Sequence, residues 1–377
     1  MKISRSAASM NLWGRIFIVS PLALFLLIPA CSKKADEWKG RIEMEGEVVV
    51  VRNPGEPLFG LGALSLEEDL AVGGEEDTDY VFADIYSIAV ADDGTIFVLD
   101  IRDKNIKVLD RDGKFLRAFG KAGQGPGELA LPISIHINAR GEVVAVDARR
   151  CLTLFRPSGE FVRSVSAAAL NLADACPADG GNFFVYLIRG EESRYELRKV
   201  NSELEDLFMV ESSPLQLDGF DPFFPVLRWA LLSGGRVVCG HAVKPELRIY
   251  EASGRLVRKI QMEPKSVPVA KEDVDERTKG VPPDRMKDMK IPRYYPAFRY
   301  LVTDDEDRIY VLSWERPPYG QGYYFDIFDR EGKYIDRAAL PAVRPLIRKG
   351  RLYAAEETDD GTPVLKRYKM TWKFKDR

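Results

Sequence analysis

Six side chains fall at one aligned position of a repeated segment: Asp100, Asp147, Leu187, His241, Ser313 and Glu356 close TIFVLD, EVVAVD, NFFVYL, RVVCGH, RIYVLS and RLYAAE. Carboxylates and an imidazole gathered around one opening could hold Ca²⁺ or a zinc-type ion. Asp100, Asp147, His241 and Glu356 are therefore candidate metal ligands, and on this reading they would centre a metal-assisted hydrolase or lyase. The competing reading is structural, with strand-end aspartates accepting hydrogen bonds from N–H groups of the following turn. Leu187 interrupts the set, and the two histidines of the chain, His136 and His241, are too few for a three-histidine zinc site. His136 alternates with Ile135 and Ile137, which suits either a channel lining or a satisfied core position. No GxSxG elbow or Cys/His pairing assigns a nucleophile, so catalytic residues remain unknown and a non-enzymatic role is favoured.

The glycine-rich stretch FGKAGQGPGEL (119–129) invites a phosphate-loop reading. A phosphate loop needs a helix N-terminus behind its glycines, and here the β run LALPISIHIN, interrupted by Pro132, follows instead. The stretch is read as a connector. Beyond Cys31, the cysteines Cys151, Cys176 and Cys239 sit in apolar, strand-like surroundings and are expected to be buried free thiols.

The elements that must position these residues repeat. Each of the six segments follows a turn rich in Gly, Asp or Asn, and each is followed by a second strand, such as NIKVLD (105–110) or ELRIYE (246–251). Strands such as IYSIAV (85–90) precede the turn, and outer strands such as FLRAFG come last, so the unit is a four-stranded meander. The turn positions Gly94, Gly141, Gly181, Gly235, Asp307 and Gly350 are spaced by 47, 40, 54, 72 and 43 residues. A period near 45 with four strands predicts propeller blades. The expected fold is all-β, a six-bladed β-propeller of four-stranded antiparallel blades. Its last unit lacks an outer strand, and GEVVVV (46–51) is expected to supply it, closing the ring and removing free edges.

The two long spacings place insertions at 210–226 and 262–297, on the face toward which the aligned second-strand ends point. PVAKEDVDERTKG carries helix start and stop signals, with Gly280 and Pro282 beyond it. Aromatics gather in the same segments, and Trp229, Tyr294, Tyr295, Trp314 and Tyr319 are the expected exposed contacts for a protein, peptide or glycan.

Residues 1–30 read as a signal peptide: Lys2, Arg5 and Arg15 precede the apolar IFIVSPLALFLLIPA, which is short for a permanent span. Removing it takes the formal net charge from −3 to −6, and no basic stripe suggests nucleic acid. Residues 41–377 form the propeller domain, expected to be a monomer.

LIPAC, ending in Cys31, resembles the lipobox of bacterial lipoproteins. The resemblance implies lipidation of Cys31, a tether over 31–40 and membrane attachment; Ser32 in the next position implies the outer membrane of a cell envelope. SIAVADDGTIFVLDIRDKNIKVLDRDGKFLRAFGKAGQGPGEL resembles an NHL-type repeat, and VVVVRNPGEPLFG resembles the leading segment of lipid-anchored six-bladed propellers of largely unassigned function. Lactonases and amidating lyases on NHL-like propellers use a central metal with histidine or carboxylate ligands. This chain supplies carboxylates without a matching histidine set, so no cofactor is expected beyond a possible divalent ion such as Ca²⁺. The leading expectation is a lipid-anchored envelope binding module that works through its inter-blade connector face.

Overall fold

The computed structural model describes residues 37–74, 81–148, 150–215, 221–318 and 322–373. The signal segment 1–30, Cys31 and Tyr319 lie outside the described residues. The chain forms six sheets whose innermost strands follow one another round a ring. The inner strand of blade one, Ile85–Val90, touches both that of blade two, Pro132–Ile137, and that of blade six, Leu346–Arg348. Blades three, four and five begin with Leu172–Pro177, Leu227–Leu231 and Tyr300–Thr303.

Second strands are almost wholly apolar because each is covered on both faces by neighbouring blades. Ile96–Asp100 and Val143–Asp147 are buried along their full length. Between the two strands of a hairpin, an Asx side chain builds the turn. Asn138 Oδ1 accepts from the N–H groups of Arg140 (2.9 Å) and Glu142 (3.0 Å), and Gly141 takes φ +75°. The repeat legible in NARG and its relatives is thus a repeated hydrogen-bond pattern. The insertion after blade three begins later than expected, since Asp206–Pro214 is that blade's outer strand. Lys271–Thr278 forms helix α1, with Gly280 at φ +80° beyond it.

The ring closes with an N-terminal strand, but with a different one from that expected. Leu64–Val72 pairs antiparallel with Pro363–Trp372 and completes blade six. Val48–Arg52 instead runs parallel to Leu256–Gln261, the outer strand of blade four, and is backed by Arg41–Glu45. Patterning explains the exchange. LSLEEDLAV alternates on each side of a bulge at Asp69, which turns Leu64 and Leu66 toward blades five and six and Leu70 and Val72 toward blade one. In VVVV, the consecutive Val50 and Val51 are both fully buried, so cover is needed on two faces.

Between these strands the chain runs along blade five. The N–H groups of Leu58 and Phe59 donate to the carbonyls of Tyr334 and Ile335, both at 3.0 Å. Asn53 anchors this strap, accepting from Tyr334 N–H (2.7 Å) and donating to Gly332 O (2.9 Å). Fully buried Asp336 accepts from the N–H groups of Ala63 (3.1 Å) and Leu64 (2.8 Å) where the closing strand begins.

Candidate functional site

The aligned second-strand ends do not form a site. Asp100 is fully buried and accepts from the N–H groups of Ala83 (2.7 Å), Asp84 (3.2 Å) and Asp103 (3.1 Å), and from Lys107 Nζ at 2.7 Å. Asp147 accepts from the N–H groups of Ala130 and Leu131, both at 2.7 Å. These bonds run mainly to the connector that leads into the blade, so the aspartates clamp each blade to its own beginning. His241 Nε2 pairs with Pro225 O at 3.0 Å, and Glu356 accepts from Tyr368 Oη at 2.6 Å. Among the described residues, no three His, Cys, Asp or Glu side chains form a group that could hold a metal ion. The proposed set Asp100, Asp147, His241 and Glu356 is therefore dispersed over four blades. The physical reason is position: an inner strand lies between each second-strand end and the channel.

One step away in register, the inner strands do form a ring. Ser87 lies opposite Leu99, Ser134 opposite Val146, Asp174 opposite Tyr186, Arg228 opposite Gly240 and Tyr300 opposite Leu312. Each partner immediately precedes an aligned second-strand end, and extending the pairing of Leu346 with Tyr353 puts Arg344 at the same level in blade six. One residue per blade thus meets at the mouth on the connector face.

Contacts run round this ring. Ser87 Oγ accepts from Ile135 N–H at 3.1 Å, and Ser134 Oγ donates to Asp174 at 3.2 Å. The guanidinium carbons of Arg228 and Arg344 lie 5.6 and 4.9 Å from the Tyr300 ring centroid. Burial pushes the Tyr300 hydroxyl up, and the charges it feels come from Arg344, Asp174, Arg228 and the Tyr86 hydroxyl. The ring is polarised, with hydroxyls and one carboxyl on blades one to three and Arg–Tyr–Arg on blades four to six.

Below Ser134, His136 joins two blades. Its Nε2 lies 3.3 Å from Ser134 Oγ, and its Nδ1 lies 3.5 Å from Cys176 Sγ on the next inner strand. Burial pushes the Cys176 thiol well up, so it stays protonated and is no nucleophile. A protonated thiol makes Nδ1 the acceptor, leaving the Nε2 proton for Ser134 and the Ser134 proton for Asp174. Cys151, Cys176 and Cys239 are free thiols.

Loss of bulk water holds His136 below its ordinary 6.5 and pushes the Asp174 carboxyl up. The signs differ. Below 6.5 the unfolded chain takes up a proton that folded His136 refuses, so stability falls with acidification until the folded value is reached. Asp174 acts oppositely, costing stability as the pH rises above the ordinary carboxyl value. His136→Gln is therefore expected to shrink the drop in melting temperature between pH 7.5 and 5.5. Equal drops in the two proteins would show that His136 titrates freely.

Over the mouth, the long insertion packs as a roof. Tyr295 and Trp314 stack with centroids 4.2 Å apart and planes 2° apart, and Phe223 meets both edge-on at 5.1 and 5.7 Å. Arg277 of α1 stands over Phe223 (5.1 Å) and Trp314 (5.3 Å) and donates to Pro222 O at 3.1 Å. The Arg277 charge reaches Arg228, which places the roof beside the ring. Arg299 lies 4.9 Å from the Trp314 ring, and Trp314 Nε1 is buried without an acceptor among the described residues.

This packing changes the expected contact set. Tyr295 is only 7% exposed, because its hydroxyl accepts from Ala270 N–H (2.9 Å) and donates to Asp273. Trp314 is half-buried beneath two arginines, and Trp229 is half-buried against the core between blades three and four. Tyr294 is exposed, with Arg293 over its ring at 5.2 Å. The ring itself was missed. In blade four its member is the inner-strand residue one place beyond the partner of the aligned position, but in blades one to three a bulge puts it two places beyond.

Residues 75–213 match the family model DUF5128, described as a 6-bladed beta-propeller. No curated protein matches the sequence. Among solved structures, the chain is similar to a Bacteroides fragilis protein whose name describes it as exported, at 12% identity and TM-score 0.53, covering 82% of this chain and 96% of that one. It is also similar to a member of the duf4221 family from Bacteroides vulgatus, at 10% identity and TM-score 0.50, covering 82% and 98%. At such identities the likeness concerns the fold. Strand order, ring closure and the family match together make this chain a six-bladed β-propeller of four-stranded antiparallel blades.

Proposed function

We propose that the protein is a cell-envelope binding module, lipid-anchored at Cys31 in the outer membrane, that receives a peptide, protein segment or glycan at the connector-face mouth of its channel. The observation that carries this reading is the frame of that mouth. Arg228, Arg277 and Arg299 stand on aromatic faces there, while Asp100 and Asp147 are spent on backbone N–H groups. Aromatic and guanidinium groups are the side chains that most often carry recognition energy. The exported character in the name of the Bacteroides fragilis protein agrees with the lipobox-like LIPAC.

The test is native mass spectrometry of the purified chain after incubation with a pool of envelope peptides and glycan fragments. A retained species recovered with unchanged mass is the expected result. Recovery of cleaved or otherwise mass-shifted products would replace binding with catalysis, and retention of nothing would remove the reading.

A further inference from the structure

The arginines of this fold are, as a rule, paired. Arg198 donates to both Asp206 oxygens at 2.6 Å and to Glu196 at 3.0 Å, and buried Arg308 reaches Asp304 at 3.3 Å and Glu306 at 2.6 Å. Arg228 and Arg344 break this pattern, as do Arg277 and Arg299 of the roof above them. Among the described residues, neither Arg228 nor Arg344 has a carboxylate within ion-pair distance, and both are placed over the face of Tyr300. The chain carries 58 acidic against 55 basic residues, so a surplus of positive charge does not explain them.

Desolvation weighs most heavily on Arg228 and holds it below the ordinary arginine range, and the charges of Arg344 and Arg277 press in the same direction. The one acid of the ring, Asp174, is bonded to Ser134 (3.2 Å) and to Ala175 N–H (2.9 Å). Burial pushes its carboxyl up while the Arg344 charge draws it down, and it makes no ion pair with either arginine. Arg344 is exposed and Arg228 half-buried, so the cost of an unpaired guanidinium in the empty fold falls on Arg228, which Arg344 also repels. A planar guanidinium fork is matched by the paired oxygens of a carboxylate or phosphate. Tyr300 keeps the two forks apart, one on either neighbouring blade.

We propose that Arg228 and Arg344, spaced by Tyr300, clamp an oxyanion group, carboxylate or phosphate, of a ligand lying over the channel mouth. This rests on the binding-module reading and names the chemistry that module selects.

The experiment measures thermal shifts of the full chain with inorganic phosphate, and separately with succinate, at constant ionic strength. In the wild type, a saturable rise with one or both is expected, and the arm that responds at lower concentration identifies the oxyanion. Arg228→Gln and Arg344→Gln should each weaken the apparent affinity at least tenfold. Without anion, both variants should melt at or above the wild-type temperature, because an uncompensated charge has been removed. Arg198→Gln, which breaks a paired arginine, should melt lower. An unsaturable rise, the same rise in the variants, or variants that melt like Arg198→Gln would overturn the clamp. Capture of a neutral ligand from the pool with no anion response sinks the clamp and leaves the module. Saturable anion binding with nothing retained from the pool does the reverse.

Discussion

Asp100→Ala is expected to destabilise the propeller by about 3–5 kcal/mol, read as a lower urea midpoint and melting temperature. The carboxylate satisfies three backbone N–H groups and sits against Lys107, itself nearly buried. Alanine leaves the donors of Ala83 and Asp84 facing a dry interior, and Lys107 keeps Asp103, at 2.7 Å, as its remaining acid. Asp100→Asn should cost less, because the amide oxygen still accepts while the charge is lost. A midpoint within experimental error of the wild type would show that water replaces the carboxylate there, and that the aspartate is not what holds blade one to its connector. The same substitution at Asp147 should behave alike, since its two backbone donors occupy corresponding places in blade two.

Truncation should separate the two N-terminal strands. A chain beginning at Gly73 lacks Leu64–Val72, leaving Pro363–Trp372 as an unpaired edge and opening the apolar layers on both sides of blade six. It is expected to show no cooperative thermal transition and to be digested quickly by protease. A chain beginning at Asn53 keeps the closing strand. It loses fully buried Val50 and Val51, about 1.5–3 kcal/mol for each, and exposes the edge of blade four. It should therefore melt cooperatively at a reduced temperature. If the shorter chain melts like the longer one, the ring does not depend on strand Leu64–Val72 for closure.

Both predictions turn on features that differ in how far the sequence displays them. The blades were legible because their signals are local. An Asx or Gly turn and the alternation beside it are read over about ten residues, and the hydrogen bonds of Asn138 to Arg140 and Glu142 realise them within that distance. The second-strand ends were legible as a repeat but not as a role. An aspartate beside a turn looks the same whether it faces a channel, its own turn or the backbone of the preceding connector, and Asp100 chose chiefly the last. Tyr295 was visible as one of a group of aromatics, yet its burial follows from Asp273 and Ala270, which arrive from the other end of a long insertion.

The sequence by itself determined the all-β architecture, six units, the missing outer strand of the last one and helix α1, because periodicity and turn chemistry act between near neighbours. Tertiary structure alone decided which N-terminal strand closes the ring and which residues meet at its mouth. Ser87, Ser134, Asp174, Arg228, Tyr300 and Arg344 converge only because six sheets are set about one axis. In blades one to three a bulge after Ile85, Pro132 and Leu172 also moves the facing residue by one place relative to blade four. A bulge is fixed by how a strand must bend against its neighbours, so it leaves no local mark from which that displacement could be read.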